Sequence, residues 1–196
     1  MTSSSSPPVE RGLDAMLIVY SLLSNHPASA VCEQFIRTHS GWFTTTFTLF
    51  EAQAILTKVY TVEAPLAARK LAQLTAGPIV VTAVDFPTAL AAMNMAAALN
   101  IDLTDAVLLQ TAQAQGALWV ATEDGKLAQA CRQVGITPET PIDAALRQQM
   151  ALWETANLPA KGLPRVLRQI YQWLNRVSSK VAQEFWSHTG GGSHLP

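Results

Sequence analysis

Four acidic residues stand where extended and helical patterns meet: Asp14, Glu51, Asp105 and Asp124. Asp14 follows an extended segment ending at Leu13. Glu51 is placed in the first turn of a helix after a Thr-rich segment, Asp105 in the first turn of another helix, and Asp124 just after Ala117–Ala121. Taken singly, each carboxylate reads as a helix cap, because it complements free N–H groups and the helix dipole. Thr48-Leu49-Phe50-Glu51 even has capping-box spacing, and Asp102-Leu103-Thr104-Asp105 resembles it. Taken together they mean more, since the chain has only 14 acids. Four carboxylates at one place repel one another, and their pKa values rise unless a cation neutralises them. An all-oxygen cluster selects Mg²⁺ or Mn²⁺ over zinc.

The elements that must position these acids alternate between two periods. Helical spacing marks about 16–24, 27–40, 49–60, 64–74, 85–100, 104–115 and 125–134, the fifth capped by Asp85. Between them lie short extended segments: one ending near Leu13, Trp42–Phe47, Ile79–Thr82, Ala117–Ala121 and one opening at Gly135-Ile136. Strands alternating with helices predict a central parallel sheet covered on both faces, an α/β class, three-layer α/β/α sandwich. Strand ends of one kind then share one edge, where open parallel sheets bind ligands, and the acids converge there.

Composition trims the alternatives. The 196 residues are 49% hydrophobic and only 14% charged, with a net charge of −1. This excludes a charged disordered chain and removes bulk charge as a reason for nucleic-acid binding. The charge is unevenly placed, however: residues 1–150 carry −4 and residues 151–196 carry +3. Cys32 and Cys131 are too few to frame the fold and read as reduced thiols of a cytoplasmic protein. No secretory signal or apolar run of membrane-spanning length is expected. The four histidines lack triad or metal spacing, and neither a Gly-rich phosphate loop nor a Gly-x-Ser-x-Gly motif occurs.

The order Leu13-Asp14, Thr44-Thr45-Thr46…Glu51, Thr104-Asp105-Ala106-Val107-Leu108-Leu109 and Val120-Ala121-Thr122-Glu123-Asp124 resembles the PIN domain, a nuclease fold that includes VapC-type toxins. The resemblance covers about residues 11–137 and is most specific from Leu99 to Gly135. It implies a metal-dependent endoribonuclease using Mg²⁺ or Mn²⁺, with products bearing a 5′-phosphate and a 3′-hydroxyl. Asp14 and Asp105 match the firmest metal ligands, Glu51 and Asp124 complete the cage directly or through water, and Thr122 holds the Asp124 loop or a ligating water by its hydroxyl. An RNA substrate, a homodimer and, for a toxin, an antitoxin partner follow from the same resemblance. Ala15-Met16 departs from it, since the family usually has Thr or Ser after the first acid, and Val9–Leu13 is not the usual apolar strand. These departures define the alternative, a catalytically inactive PIN-fold module that binds RNA or protein. Glu123 and Asp102 are neighbouring acids, either of which could substitute as a ligand, but they read first as a solvated loop acid and a helix cap. A phosphoacceptor receiver domain would need a paired acidic run near the first strand and a Lys after the last, and neither is convincing here.

Three regions result: a Ser/Pro-rich disordered leader at 1–10, the PIN-like domain at 11–146, and a region at 147–196. The last region reads as a connector, a basic amphipathic helix and a flexible end. Its apolar stripe is Leu163, Leu167, Ile170, Leu174, Val177, Val181 and Phe185, with Arg165, Arg168, Arg176 and Lys180 opposite. Packing on the domain or a second copy, gripping RNA phosphates and lying on a membrane surface are its three readings.

Overall fold

Five short strands pair in parallel: β1 (Arg11–Leu13), β2 (Trp42–Thr45), β3 (Val80–Thr82), β4 (Trp119–Ala121) and β5 (Thr137–Glu139). Their order across the sheet is β3-β2-β1-β4-β5, with every pair parallel. The computed structural model describes residues 9–77, 79–158 and 163–189. Residues 1–8 of the leader expected at 1–10 and the Gly190–Gly192 end therefore lie outside the described residues, whereas Val9 packs on the core and Glu10 N donates to Gly41 O at 2.9 Å, so these two are ordered, contrary to expectation. The helices are α1 (Ala15–Leu22), α2 (Ser29–Thr38), α3 (Thr46–Lys58), α4 (Ala64–Thr75) and α5 (Phe86–Leu99). They continue as α6 (Leu103–Gln115), α7 (Gly125–Gln133), α8 (Ala144–Asn157), α9 (Leu163–Val177) and α10 (Ser179–His188).

Strand alternation sorts the core into the two layers expected of an α/β/α sandwich. Leu13, Trp42 and Ala121 join Leu17, Ile18, Ile36, Leu56 and Leu71 on one face. Phe43 and Val120 join Val107, Leu108, Leu109, Leu127 and Cys131 on the other. The Ala-rich sides of α5 and α6 let Ala92, Ala106 and Ala112 bury completely against the second layer. Gly12 is the neighbour of Phe43 and Val120 in this layer, and an added Cβ would stand 3.1 Å from Val120 Cγ2 and 3.2 Å from Phe43 Cζ. Gly12→Ala is therefore expected to cost about 1–3 kcal/mol through overpacking. Urea unfolding measures this, and an unchanged midpoint would mean that Phe43 yields freely.

β1 lies in the middle of the sheet yet begins with Arg11, and the tertiary structure accounts for it. The guanidinium lies 4.2 Å from the Trp119 ring centroid and pairs with Glu139 at 2.5 Å. The charge is thus matched, and its planar group covers an aromatic face.

Four features correct the sequence reading. Trp42–Phe47 is not all strand: α3 begins at Thr46, because Thr45 is its N-cap and accepts from Thr48 N at 3.1 Å. Thr48 is therefore inside α3, and Glu51 stands in its second turn rather than its first. The connector placed after residue 146 is helix α8, whose Met150 is buried in the first layer and whose Trp153 packs edge-on against His26. The tail stripe is not one helix but two, divided at Ser178, whose backbone is extended and whose Oγ caps α10 by accepting from Val181 N. Among the described residues no single helix is long and apolar enough to cross a membrane.

Candidate active site

The chain runs outward from β1 through β2 to β3 on one side, then returns to place β4 and β5 on the other. The strand order therefore reverses beside β1, the kind of switch point where open parallel sheets form a crevice beyond their carboxyl ends. Asp14 leaves β1 at this crevice and Thr122–Asp124 leave β4 beside it, since Leu13 pairs with Ala121.

Asp14 is almost fully buried and caps α1 by accepting from Ala15 N at 2.5 Å. Its Oδ2 accepts a hydrogen bond from Thr122 Oγ1 at 2.8 Å. The same hydroxyl oxygen accepts from Asp124 N at 3.0 Å. One buried threonine thus fixes Asp14 and the Asp124 loop relative to each other. Asp124 is exposed and caps α7, with Oδ1 accepting from Lys126 N at 2.6 Å and Leu127 N at 3.0 Å.

α6 brings Asp105 to the same edge in its first turn, and α3 brings Glu51, which is half-buried. Their electrostatics record the convergence. Burial lifts Asp105 most, and the charges of Asp14, Asp124, Glu51 and Asp102 raise it further, to about 8. Burial also lifts Asp14, opposed by the Thr122 hydrogen bond and aided by Glu51 and Asp124, to about 6. Glu51 is raised by burial, opposed by hydrogen bonding from Thr104, and raised further by Asp102. The structure thus brings Asp14, Glu51, Asp105 and Asp124 within reach of one another's fields, with Thr122 between two of them.

The neighbouring acids divide differently. Glu123 pairs with Arg147 of α8 at 3.0 Å and accepts from Thr140 Oγ1 at 3.2 Å. It therefore anchors α8. Asp102 is the exposed N-cap residue of α6 and makes no side-chain capping bond. Two contributors carried no role in the sequence reading. Thr104 steadies Glu51 and was visible only as the hydroxyl beside Asp105. Cys131 lies behind the acids: burial, then Asp105 and Asp14, push its thiol to about 12, so it stays neutral and is no nucleophile.

The donor set is all oxygen, and its mutual repulsion is what a hard dication would relieve, so the chemistry fits Mg²⁺ or Mn²⁺. Among the described residues no three His, Cys, Asp or Glu side chains stand close enough to hold one ion as they are.

The sequence profile of the PIN domain family matches residues 13–133, more than half of the chain. No curated protein matches the sequence. Among solved structures, VapC20 of Mycobacterium tuberculosis, described as a Sarcin-Ricin loop cleaving toxin, aligns with TM-score 0.56 at 13% identity over 62% of this chain and 95% of its own. PAE2754 of Pyrobaculum aerophilum aligns with TM-score 0.50 at 18% identity over 73% and 98%. FitAB, solved bound to an IR36 DNA fragment, aligns with TM-score 0.50 at 16% identity over 67% and 94%. At these identities the three structures speak for the fold, and the profile, which spans all four acids, speaks for the lineage: the chain belongs to the PIN domain family.

Proposed function

We propose that the protein is a Mg²⁺- or Mn²⁺-dependent endoribonuclease of toxin-antitoxin type that hydrolyses RNA phosphodiester bonds in the cytoplasm. The observation that carries this reading is the placement of Asp14, Glu51, Asp105 and Asp124 about the sheet's switch point, where the charges of Glu51 and Asp124 help raise Asp14, and those of Asp14, Asp124 and Glu51 help raise Asp105. Asp14 and Asp105 are the residues that would hold the ion, with Glu51 and Asp124 completing its surroundings. When bound, the dication makes water more acidic and neutralises charge on the phosphate. Thr122 is a positioning residue, because its hydroxyl holds Asp14 and the Asp124 loop in one arrangement. The burial of Asp14 keeps bulk water from one side of the site. RNA is the substrate, an antitoxin is the controlling partner, and a homodimer is the working assembly.

Incubating a mixed RNA pool with the full chain tests the reading. Cleavage that appears with Mn²⁺, stops with chelator and leaves 5′-phosphate ends is the expected result. RNA binding without cleavage at any Mn²⁺ concentration would instead favour the non-cleaving module, in which Ala15 stands where relatives carry a hydroxyl.

A further inference from the structure

Helix α9 carries its apolar residues on a broad arc of which one flank is covered. Leu167, Tyr171 and Leu174 are half-buried, and Tyr171 packs against Trp186 of α10 with ring centroids 4.9 Å apart. On the other flank Val166, Ile170, Trp173 and Val177 are exposed, and Val181 of α10 extends the row. Trp173 is 61% exposed and Val177 69%. Spacings of four, three and four residues place the α9 members on one continuous stripe.

The domain meets α9 across a cleft of mixed character. Gln169 Nε2 donates to Lys58 O at 3.4 Å, and Gln169, Tyr171, Gln172, Trp173 and Arg176 line the cleft opposite Lys58, Val62 and Ala64. Among the described residues Val166, Ile170 and Val177 are left exposed outside this cleft, and Trp173 stays 61% exposed while lining it; exposed apolar rows of this kind mark interaction surfaces.

Charge decides what covers it. Residues 163–189 carry four Lys/Arg against one acid, and Arg176 and Lys180 are exposed. The cover must therefore be apolar beneath and anionic around. RNA supplies the charge and a base to stack on Trp173, but nothing to cover Val166, Ile170 and Val177. The hairpin of a second copy supplies apolar surface but brings the same positive charge against itself, and docking on a second copy's acidic domain, with its charge of −4 over residues 1–150, is the outcome that the oligomeric state tests. An anionic lipid surface supplies both, with acyl chains for the stripe and headgroups for the cations. Tryptophan, apolar in body and polar at its N–H, suits that boundary. We propose that α9 and α10 form an interfacial hairpin that docks the protein on an anionic membrane surface, lying in its plane without spanning it.

The test is co-sedimentation of the full chain with vesicles of phosphatidylcholine alone or mixed with phosphatidylglycerol. Wild type is expected to bind the mixed vesicles and not the neutral ones, with binding weakened by salt. Ile170→Glu with Trp173→Glu, and separately Arg176→Gln with Lys180→Gln, should each weaken binding roughly tenfold or more. RNA cleavage in solution and helix content by circular dichroism should stay unchanged, because these side chains stand outside the acidic edge. Wild type that fails to sediment with anionic vesicles overturns the proposal, as does binding indifferent to the Ile170 and Trp173 substitutions. So does light scattering that shows a dimer dispersed by those substitutions while no vesicle binding occurs.

Discussion

Asp105→Asn is expected to abolish RNA cleavage and, in the same molecule, to make the metal-free protein more stable. Asparagine keeps the shape of aspartate but removes a charge that is partly buried and opposed by Asp14, Asp124, Glu51 and Asp102. The fold loses a repulsion, so the melting temperature should rise by several degrees, at about 2–4 °C per kcal/mol for a chain of this size. The site loses an ion ligand, so turnover should fall at least about a hundredfold, equivalent to about 2.7 kcal/mol of transition-state stabilisation. A residue that only supports the fold would lose activity and stability together. Cleavage rates and thermal melts of wild type and variant therefore separate the two roles. Equal cleavage by both would remove Asp105 from the chemistry.

The second large effect is a dependence of stability on pH that a divalent ion reverses. Asp14 and Asp105 titrate near 6 and 8 in the fold, against 3.8 for an ordinary aspartate. A carboxyl whose folded pKa is raised binds its proton more tightly in the native state. Its contribution is fully present below the unfolded value and is lost as pH rises through the folded one. Metal-free protein should accordingly lose stability between about pH 4 and pH 8, the window set by those values. Mn²⁺ binds the deprotonated carboxylates, so its stabilisation should be small at the acid end and largest at the alkaline end. Melting temperatures at pH 5 and pH 8, with and without Mn²⁺, give four numbers that test this. A metal-free melting temperature that rises across the window would contradict it. Asp105→Asn should flatten the slope, leaving mainly the Asp14 contribution.

The acids were legible in the sequence because each stands beside chain punctuation that elementary rules recognise. Asp14 and Asp124 follow short strands and cap the next helix, and Asp105 lies three residues after the capping position of α6. Glu51 was placed at the right edge but in the wrong turn. The run Thr44-Thr45-Thr46 favours strand by its β-branching, whereas Thr48 N, donating to Thr45 Oγ1, starts the helix there. Arg11 looked unsuited to a strand, and its reason is tertiary: Trp119 and Glu139 are more than a hundred residues away in sequence. The break at Ser178 was hidden because the apolar stripe continues in register across it. Thr104 was hidden because its partner Glu51 belongs to a different helix.

Anomalous scattering from crystals soaked in Mn²⁺ tests the central claim most directly. The expected result is a peak at the carboxyl edge of the sheet between Asp14 and Asp105, lost in Asp105→Asn. Crystals of the wild type with no peak there at millimolar Mn²⁺, or with these two carboxylates turned away from a common point, would contradict a metal-dependent nuclease.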